Sequence, residues 1–169
     1  MKVKKTKFFN KEKRDWVLID AKDKILGRLS VRIAKILQGK NKASYSPNFL
    51  CGDRVIVINA KYMKWTANKA DTKIYDKYTG YPGGRKETAL KILMAKNPAK
   101  VLRMSVRGMM PKNNLGRIMV KSLKIYPEAI HSQTAQKPKE ITNEILGPSA
   151  SFGRSGSIRL NPLKTDKSH

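Results

Sequence analysis

The chain contains one cysteine, Cys51, in 169 residues, so no intramolecular disulfide can form. A protein without disulfides fits a reducing compartment. The sequence also lacks any apolar run near the roughly 18 residues that a membrane-spanning helix needs. No apolar segment follows the basic N-terminus, as it would in a secretory signal. These absences predict a soluble intracellular protein.

Residues that commonly carry catalysis or bind metals are scarce as well. His131 and His169 lie far apart in the sequence, and Cys51 stands alone, so no metal-ligand spacing occurs. The glycine-rich segment 80–87 lacks the GxxxxGK spacing of a phosphate-binding loop, and no GxGxxG follows a predicted strand. We therefore expect no catalytic site, no metal site and no cofactor, and we expect Cys51 to be a small buried hydrophobic residue.

Acidic side chains are few relative to basic ones: 12 Asp and Glu against 37 Lys and Arg, a formal net charge of +25. So large a charge repels itself on folding, which favours a polyanionic partner. Nucleic acid is the first candidate, because basic side chains gain free energy by releasing its counterions; an acidic membrane surface is the second. A general solubility charge on a small domain is usually about 2 to 8. The charge therefore favours nucleic-acid binding.

The positive charge is concentrated within the chain. Residues 61–124 hold sixteen basic and three acidic side chains, more than half of the net charge. Residues 1–14 hold seven basic side chains and one acidic one. The charge thus lies mainly on a segment that also carries folding signals.

The apolar pattern alternates between strand and helix periods. The predicted elements are strands at 16–19, 55–58 and 123–126, and helices at 26–37, 87–95, 98–107 and 115–121. We expect Gly39 to end the first helix in a left-handed conformation, and Asn97 to cap the third, with Pro98 in its first turn and Gly108 after its end. This order predicts an α/β layer fold with a mainly parallel sheet. We expect a basic N-terminal arm at 1–14, a core at 15–140 and a C-terminal extension at 141–169, with disorder at 147–156 when no partner is bound.

Two predicted helices carry a basic stripe beside the apolar one. The stripes consist of Arg28, Arg32 and Lys35 on the first helix and of Lys100, Arg103 and Arg107 on the third, and Lys40 follows the first helix. A solvated face is the alternative for each, but such a face would usually include Glu for i,i+4 pairs, and neither stripe does. Phosphate contact is therefore favoured.

Two further segments are predicted to bind RNA. In the first, Lys69, Lys73, Lys77, Arg85 and Lys86 interleave with Tyr75, Tyr78 and Tyr81. Lysines can follow phosphates while tyrosines stack on unpaired bases; the alternative is an ordinary turn whose tyrosines cover the core. The second is a loop within 108–117 that presents Lys112, Asn113, Asn114 and Arg117, while Met109 and Met110 are expected to fill the core.

Several segments, taken in order from Trp16 to Pro138, resemble the bacterial-type large-subunit ribosomal protein thirteen family. They are WVLIDAKDKILGRLSVRIAKILQGK (16–40), GDRVIVINA (52–60), YTGYPGG (78–84), GMMPKN (108–113), LGR (115–117), LKIY (123–126) and AQKP (135–138). The chain departs from the family at Asn68, where the family commonly has Gly, and at Tyr78, where it often has His. Side-chain contacts of those family residues do not carry over.

The resemblance implies a three-layer α/β/α core with a four-stranded parallel sheet. It also implies a structural, non-catalytic role in the large (50S-type) ribosomal subunit, with binding to large-subunit (23S-type) rRNA, contact with neighbouring ribosomal proteins and support of early subunit assembly. We accordingly expect a cytoplasmic ribosome or an organellar one, with no membrane and no small-molecule substrate as partner. Two alternatives stay open, namely an RNA-modifying enzyme on a doubly wound sheet and a protein that compacts DNA.

Overall fold

Eleven strands and helices make up residues 14–141, which are the part of the chain that the computed structural model describes. In chain order they are β1 (Trp16–Asp20), α1 (Leu26–Gln38), β2 (Arg54–Ile58), α2 (Lys69–Thr72), β3 (Ile74–Tyr78), β4 (Arg85–Ala89), α3 (Leu90–Lys96), α4 (Pro98–Gly108), α5 (Asn114–Lys121), β5 (Leu123–Ile125) and β6 (Lys139–Glu140). Single 3₁₀ turns occupy Ala60–Tyr62 and Thr134–Gln136. Within 14–141, no helix is both long and apolar enough to span a membrane.

Four of the strands form one parallel sheet in the order β5-β2-β1-β6. The connections from β1 to β2 and from β2 to β5 step in the same direction along the sheet. Right-handed crossovers therefore place α1 and the helices that precede β5 on one face, where α1 packs against α4 and α5. The predicted α/β fold with a parallel four-stranded sheet is confirmed.

The two central strands are buried on both faces. Val17 and Val57 belong to the main apolar cluster under the helices. Leu18 and Ile56 alternate with them, so they point to the opposite face, and they are buried as well. Burial on both faces explains the continuous apolar runs of these strands.

Helix α1 has the predicted amphipathic form. Its apolar stripe is fully buried and consists of Leu26, Leu29, Ile33, Ile36 and Leu37. Gly39 ends the helix with a φ of 77°, as predicted, and its backbone N–H donates to the Ile36 carbonyl. A positive φ at this position favours glycine because a side chain there would be strained.

Residues 74–89 form a feature that the sequence analysis missed. Strands β3 and β4 pair antiparallel as a separate hairpin, with Ile74 opposite Ala89. The predicted helix at 87–95 is therefore wrong over 87–89, which lie in β4, and α3 begins only at Leu90. Residues 87–89 form a strand because they pair with β3. The intrinsic preference of a residue for helix or strand is weak beside such pairing.

The ends of the described region hold further differences from prediction. The strand at 123–126 is not the last, because β6 pairs with β1 and Ile141 donates its N–H to the Leu18 carbonyl. Arg14, predicted as the end of the arm, donates from its side chain to the Gly52 carbonyl and to the Ser122 hydroxyl, both at 2.8 Å. The predicted arm up to residue 13, and the extension from 142 with its disorder at 147–156, lie outside the described residues.

Candidate nucleic-acid interface

An open cleft of about 930 Å³ lies between the first turn of α1, the segment that leads into the hairpin, and the C-terminal end of α4. Its apolar lining includes Leu26, Trp65, Leu90 and Met104, and its cations are Arg28, Lys69 and Lys73. None of the described residues that line it is acidic. We call this feature the basic cleft. It brings together three of the residues that the sequence analysis singled out, from segments more than 40 positions apart.

Tyr75 forms part of the wall of the basic cleft. Its ring is half-buried against the core, and its hydroxyl is buried with no hydrogen-bond partner among residues 14–141. An unpaired buried hydroxyl costs about 1–3 kcal/mol. The Lys73 ammonium lies 5.3 Å from the centre of this ring. Tyr75 therefore packs against the core, as one of the two interpretations holds, while part of its side chain stays at the cleft surface.

One face of the hairpin continues the cleft as a basic surface. Side chains at alternate positions share a face, so Lys77 lies on the same side as Tyr75. Lys86 is directly opposite Lys77 in the register, and both are exposed. Like charges in such a pair are destabilising. We call this side, with Lys77 and Lys86, the cleft face of the hairpin.

The other face of the hairpin carries mixed charge. Arg85 lies 3.1 Å from a carboxylate oxygen of Glu87 and 3.6 Å from one of Asp76. Asp76 and Glu87 are themselves cross-strand neighbours, so Arg85 offsets a repulsive pair of acids. Tyr78 stands opposite Arg85 and is exposed. The structure thus places Arg85 and Tyr78, both predicted to bind RNA, on the face away from the cleft.

Both basic stripes lie on the helix faces that the sequence predicted. Arg28 and Lys35 on α1 are exposed, and Arg32 is half-buried. On α4, Lys100, Arg103 and Arg107 are exposed, whereas Val101, Leu102 and Val106 are fully buried. Lys40 is exposed beyond the end of α1, and its N–H donates to the Lys35 carbonyl.

The stripe on α4 borders the basic cleft without entering it. The cleft takes Met104, Ser105 and Gly108 from α4. At about 100° per residue, Lys100 and Arg107 lie within about 60° of Met104 around the helix axis. These two cations are therefore adjacent to the opening of the cleft.

Burial and neighbouring charges shift the pKa of Lys24 beside α1. Burial lowers this pKa, the nearby Asp20 carboxylate raises it, and the positive charge of Arg32 lowers it further. In contrast, a hydrogen bond from the Lys64 side chain lowers the pKa of the exposed Asp23. The Asp23 carboxylate is thus already paired with a lysine of the chain.

The loop between α4 and α5 has a structural role that the sequence analysis did not assign. The Asn113 side-chain oxygen accepts a hydrogen bond of 2.8 Å from the Gly116 N–H and so caps α5. A Cβ at Gly116 would lie 1.9 Å from the Pro111 carbonyl oxygen, so this close approach requires glycine. Asn113 therefore positions the loop, whatever further contacts its amide makes.

The other polar residues of the predicted 108–117 loop are exposed, but the loop itself is shorter than predicted. Lys112 lies in it, whereas Asn114 and Arg117 belong to α5. The Asn114 side-chain oxygen accepts a long hydrogen bond of 3.4 Å from Arg117. The expectation that Met109 fills the core is wrong, because this residue is 40 % exposed and lines the basic cleft, whereas Met110 is buried as expected. The Gln38 side chain donates to the Met109 carbonyl at 3.1 Å and so ties α1 to this loop.

Two residues of the cleft were missed in the sequence. Trp65 lies in the short segment between β2 and α2, and Met104 lies on α4 between the apolar and basic stripes. A tryptophan within a strongly basic segment was the one signal in the sequence for an aromatic wall.

Cys51 is buried as expected, and its thiol lies 3.6 Å from the Ser44 carbonyl oxygen.

Comparison with known proteins covers most of the described fold and the whole of the basic cleft. The family model described as ribosomal protein L13 matches residues 14–132, which include the sheet strands up to β5, the hairpin and the basic cleft. The large ribosomal subunit protein uL13 of Hahella chejuensis is 51% identical over 129 residues, covering 76% of this chain and 91% of that protein.

Two other relatives are similar to the same extent. The protein of that name from Petrotoga mobilis is 50% identical over 132 residues, covering 78% of this chain and 87% of its own length. The one from Thermoanaerobacter sp. is 51% identical over 132 residues, covering 78% and 92%. With most of each sequence aligned at this level, the chain belongs to the ribosomal protein L13 family.

Proposed function

We propose that this chain is a structural constituent of the large ribosomal subunit that binds large-subunit rRNA through the basic cleft and the cations around it. The observation that carries the proposal is the clustering of Arg28, Lys69 and Lys73 with no acidic neighbour among the described lining residues. Such a surface is unfavourable in isolation and becomes favourable beside phosphates.

The parallel sheet and its helices serve as a rigid mount for these contacts. The apolar faces of α1 and α4 pack on each other and on the sheet, so their basic stripes keep a fixed relation. Cations at fixed positions bind best to an RNA whose phosphates lie at matching positions. Such phosphate contacts set the position and orientation of a protein on its nucleic acid. The family resemblance extends this role to early subunit assembly, in which such a mount holds rRNA segments together.

Base recognition is the second part of the proposal. Tyr78 and Tyr81 are 66 % and 75 % exposed on the hairpin, and exposed tyrosines stack on unpaired bases. Residues 112–117, at the end of the loop and the start of α5, offer amide groups and cations for bases, 2′-hydroxyls and phosphates. Neighbouring large-subunit proteins are the other expected partners, and the site of action is the cytoplasmic ribosome.

This role is structural rather than catalytic, as expected for a member of a ribosomal protein family. The RNA-modifying and DNA-compacting alternatives have no observation in their favour. They differ from the proposal in measurable ways, since the first requires turnover on RNA and the second requires equal affinity for duplex DNA and rRNA.

Co-sedimentation tests the proposed function. The full chain should sediment with large subunits at moderate salt and should bind transcribed large-subunit rRNA more tightly than duplex DNA of equal length. The double variant Lys69→Gln and Lys73→Gln should weaken rRNA binding. The double variant Lys61→Gln and Lys91→Gln, at two exposed lysines outside the cleft lining, serves as the charge-matched control. Equal affinity for DNA and rRNA, with no association with subunits, would overturn the proposal.

A further inference from the structure

We propose that the basic cleft holds one unpaired nucleotide of the rRNA, with its base between the apolar walls and its phosphates at Arg28, Lys69 and Lys73. This inference rests on the proposed function and adds to it a specific kind of ligand. It goes beyond neutralisation of phosphates because it requires a base to leave its stack and enter the protein.

The cleft is large enough to admit a nucleotide, and its walls suit a base. Its volume of about 930 Å³ lies within the range of about 300–1,000 Å³ for sites that enclose small ligands. Trp65 and Tyr75 supply aromatic surface, and Leu26, Leu90 and Met104 supply aliphatic surface. Proteins hold unstacked RNA bases against such side chains.

The polar groups of the cleft fit the rest of a nucleotide. Lys69 donates to the Thr66 hydroxyl at 3.0 Å, so its ammonium is held at the wall beside Trp65. The Lys73 ammonium lies 5.3 Å from the centre of the Tyr75 ring, and its flexible side chain can turn to a phosphate. The unpartnered Tyr75 hydroxyl gains a partner if this movement admits a ribose or a base edge.

The surroundings of the cleft favour a nucleic acid strand over other occupants. The cleft face of the hairpin extends from the cleft and carries two further cations, Lys77 and Lys86. A nucleotide within an RNA strand is flanked by further phosphates, and these cations are placed to bind them. The chain's own ends fit poorly, since residues 1–13 hold six basic side chains and one acidic one, and 142–169 hold four basic and two acidic ones. Like charge therefore opposes their entry.

Filling the cleft tests the inference. Gly27 and Gly108 line it from opposite sides, and a Cβ at either position meets no atom within 4 Å. The variants Gly27→Phe and Gly108→Phe should fold, as thermal unfolding will show, and should each weaken binding of full-length transcribed rRNA at least tenfold at 150 mM salt. The dependence on salt should stay close to that of the original protein, because the cations remain.

Ala95→Phe provides the matched control, because Ala95 is exposed on α3 and does not line the cleft. It should bind rRNA as the original protein does. If both glycine variants fold and bind with the original affinity, the nucleotide proposal is overturned while the proposed function stands. If the original protein itself fails to bind rRNA, the proposed function is overturned.

Ultraviolet cross-linking of the original protein to the same rRNA identifies the occupant. Peptides that contain Trp65 or Tyr75 should carry a cross-linked nucleotide, and Gly27→Phe should abolish this product while cross-links at Tyr78 or Tyr81 persist. Cross-links at Tyr78 and Tyr81 alone would overturn the inference. So would chemical cross-linking, in assembled subunits, of Lys69 to a neighbouring protein that fills the cleft.

Discussion

The two ends of helix α1 have opposite surroundings. At its C-terminal end, Gly39 lies against Gly52, and the Asp53 N–H donates to the Ile36 carbonyl at 3.3 Å. At its N-terminal end, the first turn opens into the basic cleft; it has neither an acidic residue nor a side-chain cap. The chain itself closes one end, whereas the other end borders an open cleft. We therefore expect changes at the first end to alter stability and changes at the second to alter RNA affinity.

The closed end is held by charge as well as by backbone contacts. The buried Asp53 accepts from the Lys42 ammonium at 2.6 Å and from the Asp15 N–H at 3.0 Å. Arg14 lies beside it, and its pKa is lowered first by burial and then by Arg54, while Asp53 raises it. Every one of these groups is engaged within the protein, whereas the cations of the cleft have no acidic lining residue.

The largest effect is expected for Gly52→Ala at the closed end. The new Cβ would lie 1.9 Å from the Leu37 carbonyl oxygen and 2.8 Å from that of Ile36, so the backbone must move. We expect the free energy of unfolding to fall by about 3 kcal/mol, at the upper end of overpacking costs, as measured by urea titration.

Gly27→Ala is the matched change at the open end. Nothing lies within 4 Å of its Cβ, and alanine inside a helix is favoured over glycine by about 0.5–1 kcal/mol. The stability of this variant should therefore rise. Equal losses at the two glycines would contradict the distinction between the ends.

A smaller loss of stability is expected for Asp53→Asn. The change removes the charge that faces Lys42 in a largely buried pair, and we expect a loss of about 2 kcal/mol, below the 3–5 kcal/mol typical of fully buried pairs because Lys42 is partly exposed. Asp23→Asn, in an exposed pair with Lys64, serves as the control and should change stability little. If Asp23→Asn lowered the free energy of unfolding as much as Asp53→Asn, this would contradict the claim that burial makes the pair of Asp53 with Lys42 the stronger one.

Asn113→Ala tests the loop between α4 and α5, where folding and binding roles meet. Loss of the cap on α5 should cost about 1 kcal/mol of stability. Asn113→Asp keeps an oxygen for the cap and should retain most of the stability while it places a negative charge at the proposed interface. Weaker rRNA binding by the aspartate variant at native stability would assign Asn113 to both roles; unchanged binding would assign it to folding alone.

The smallest effect on folding is expected for the hairpin. The double variant Lys77→Gln and Lys86→Gln removes a like-charge pair, so it should stabilise the hairpin by at most about 1 kcal/mol. Its rRNA affinity should depend less on salt, with a slope reduced by about 1.4 to 1.8. The single variant Arg85→Gln should reduce the slope less than the single variant Lys77→Gln, because Arg85 already faces two carboxylates. Equal reductions by these two single variants would contradict the distinction between the two hairpin faces.

Packing against the core also explains which elements could be predicted from the sequence. Helix α1 and strand β2 were predictable because their residues pack on a core, which imposes a period of 3.6 or a continuous apolar run. Strands β3 and β4 were not, because polar and charged residues occupy both hairpin faces and leave no alternation. Strand β6 has two residues, both exposed, and carries no pattern at all.

The candidate site was predictable only in its parts. Residue type and spacing pointed to Arg28, Lys69 and Lys73 separately, but their meeting in one cleft depends on how the hairpin and α4 pack beside α1. The same packing leaves Met109 exposed, although we expected an apolar methionine at this position to lie in the core. Whether the predicted residues contact RNA stays a prediction until binding is measured.

The salt dependence of rRNA binding by the full chain tests the central claim most directly. If the basic cleft, the cleft face of the hairpin and the helix stripes engage about eight phosphates, the affinity for transcribed large-subunit rRNA should fall by about three to five powers of ten between 50 and 200 mM salt. An affinity that stays constant over this range would contradict the claim that these cations bind the rRNA backbone.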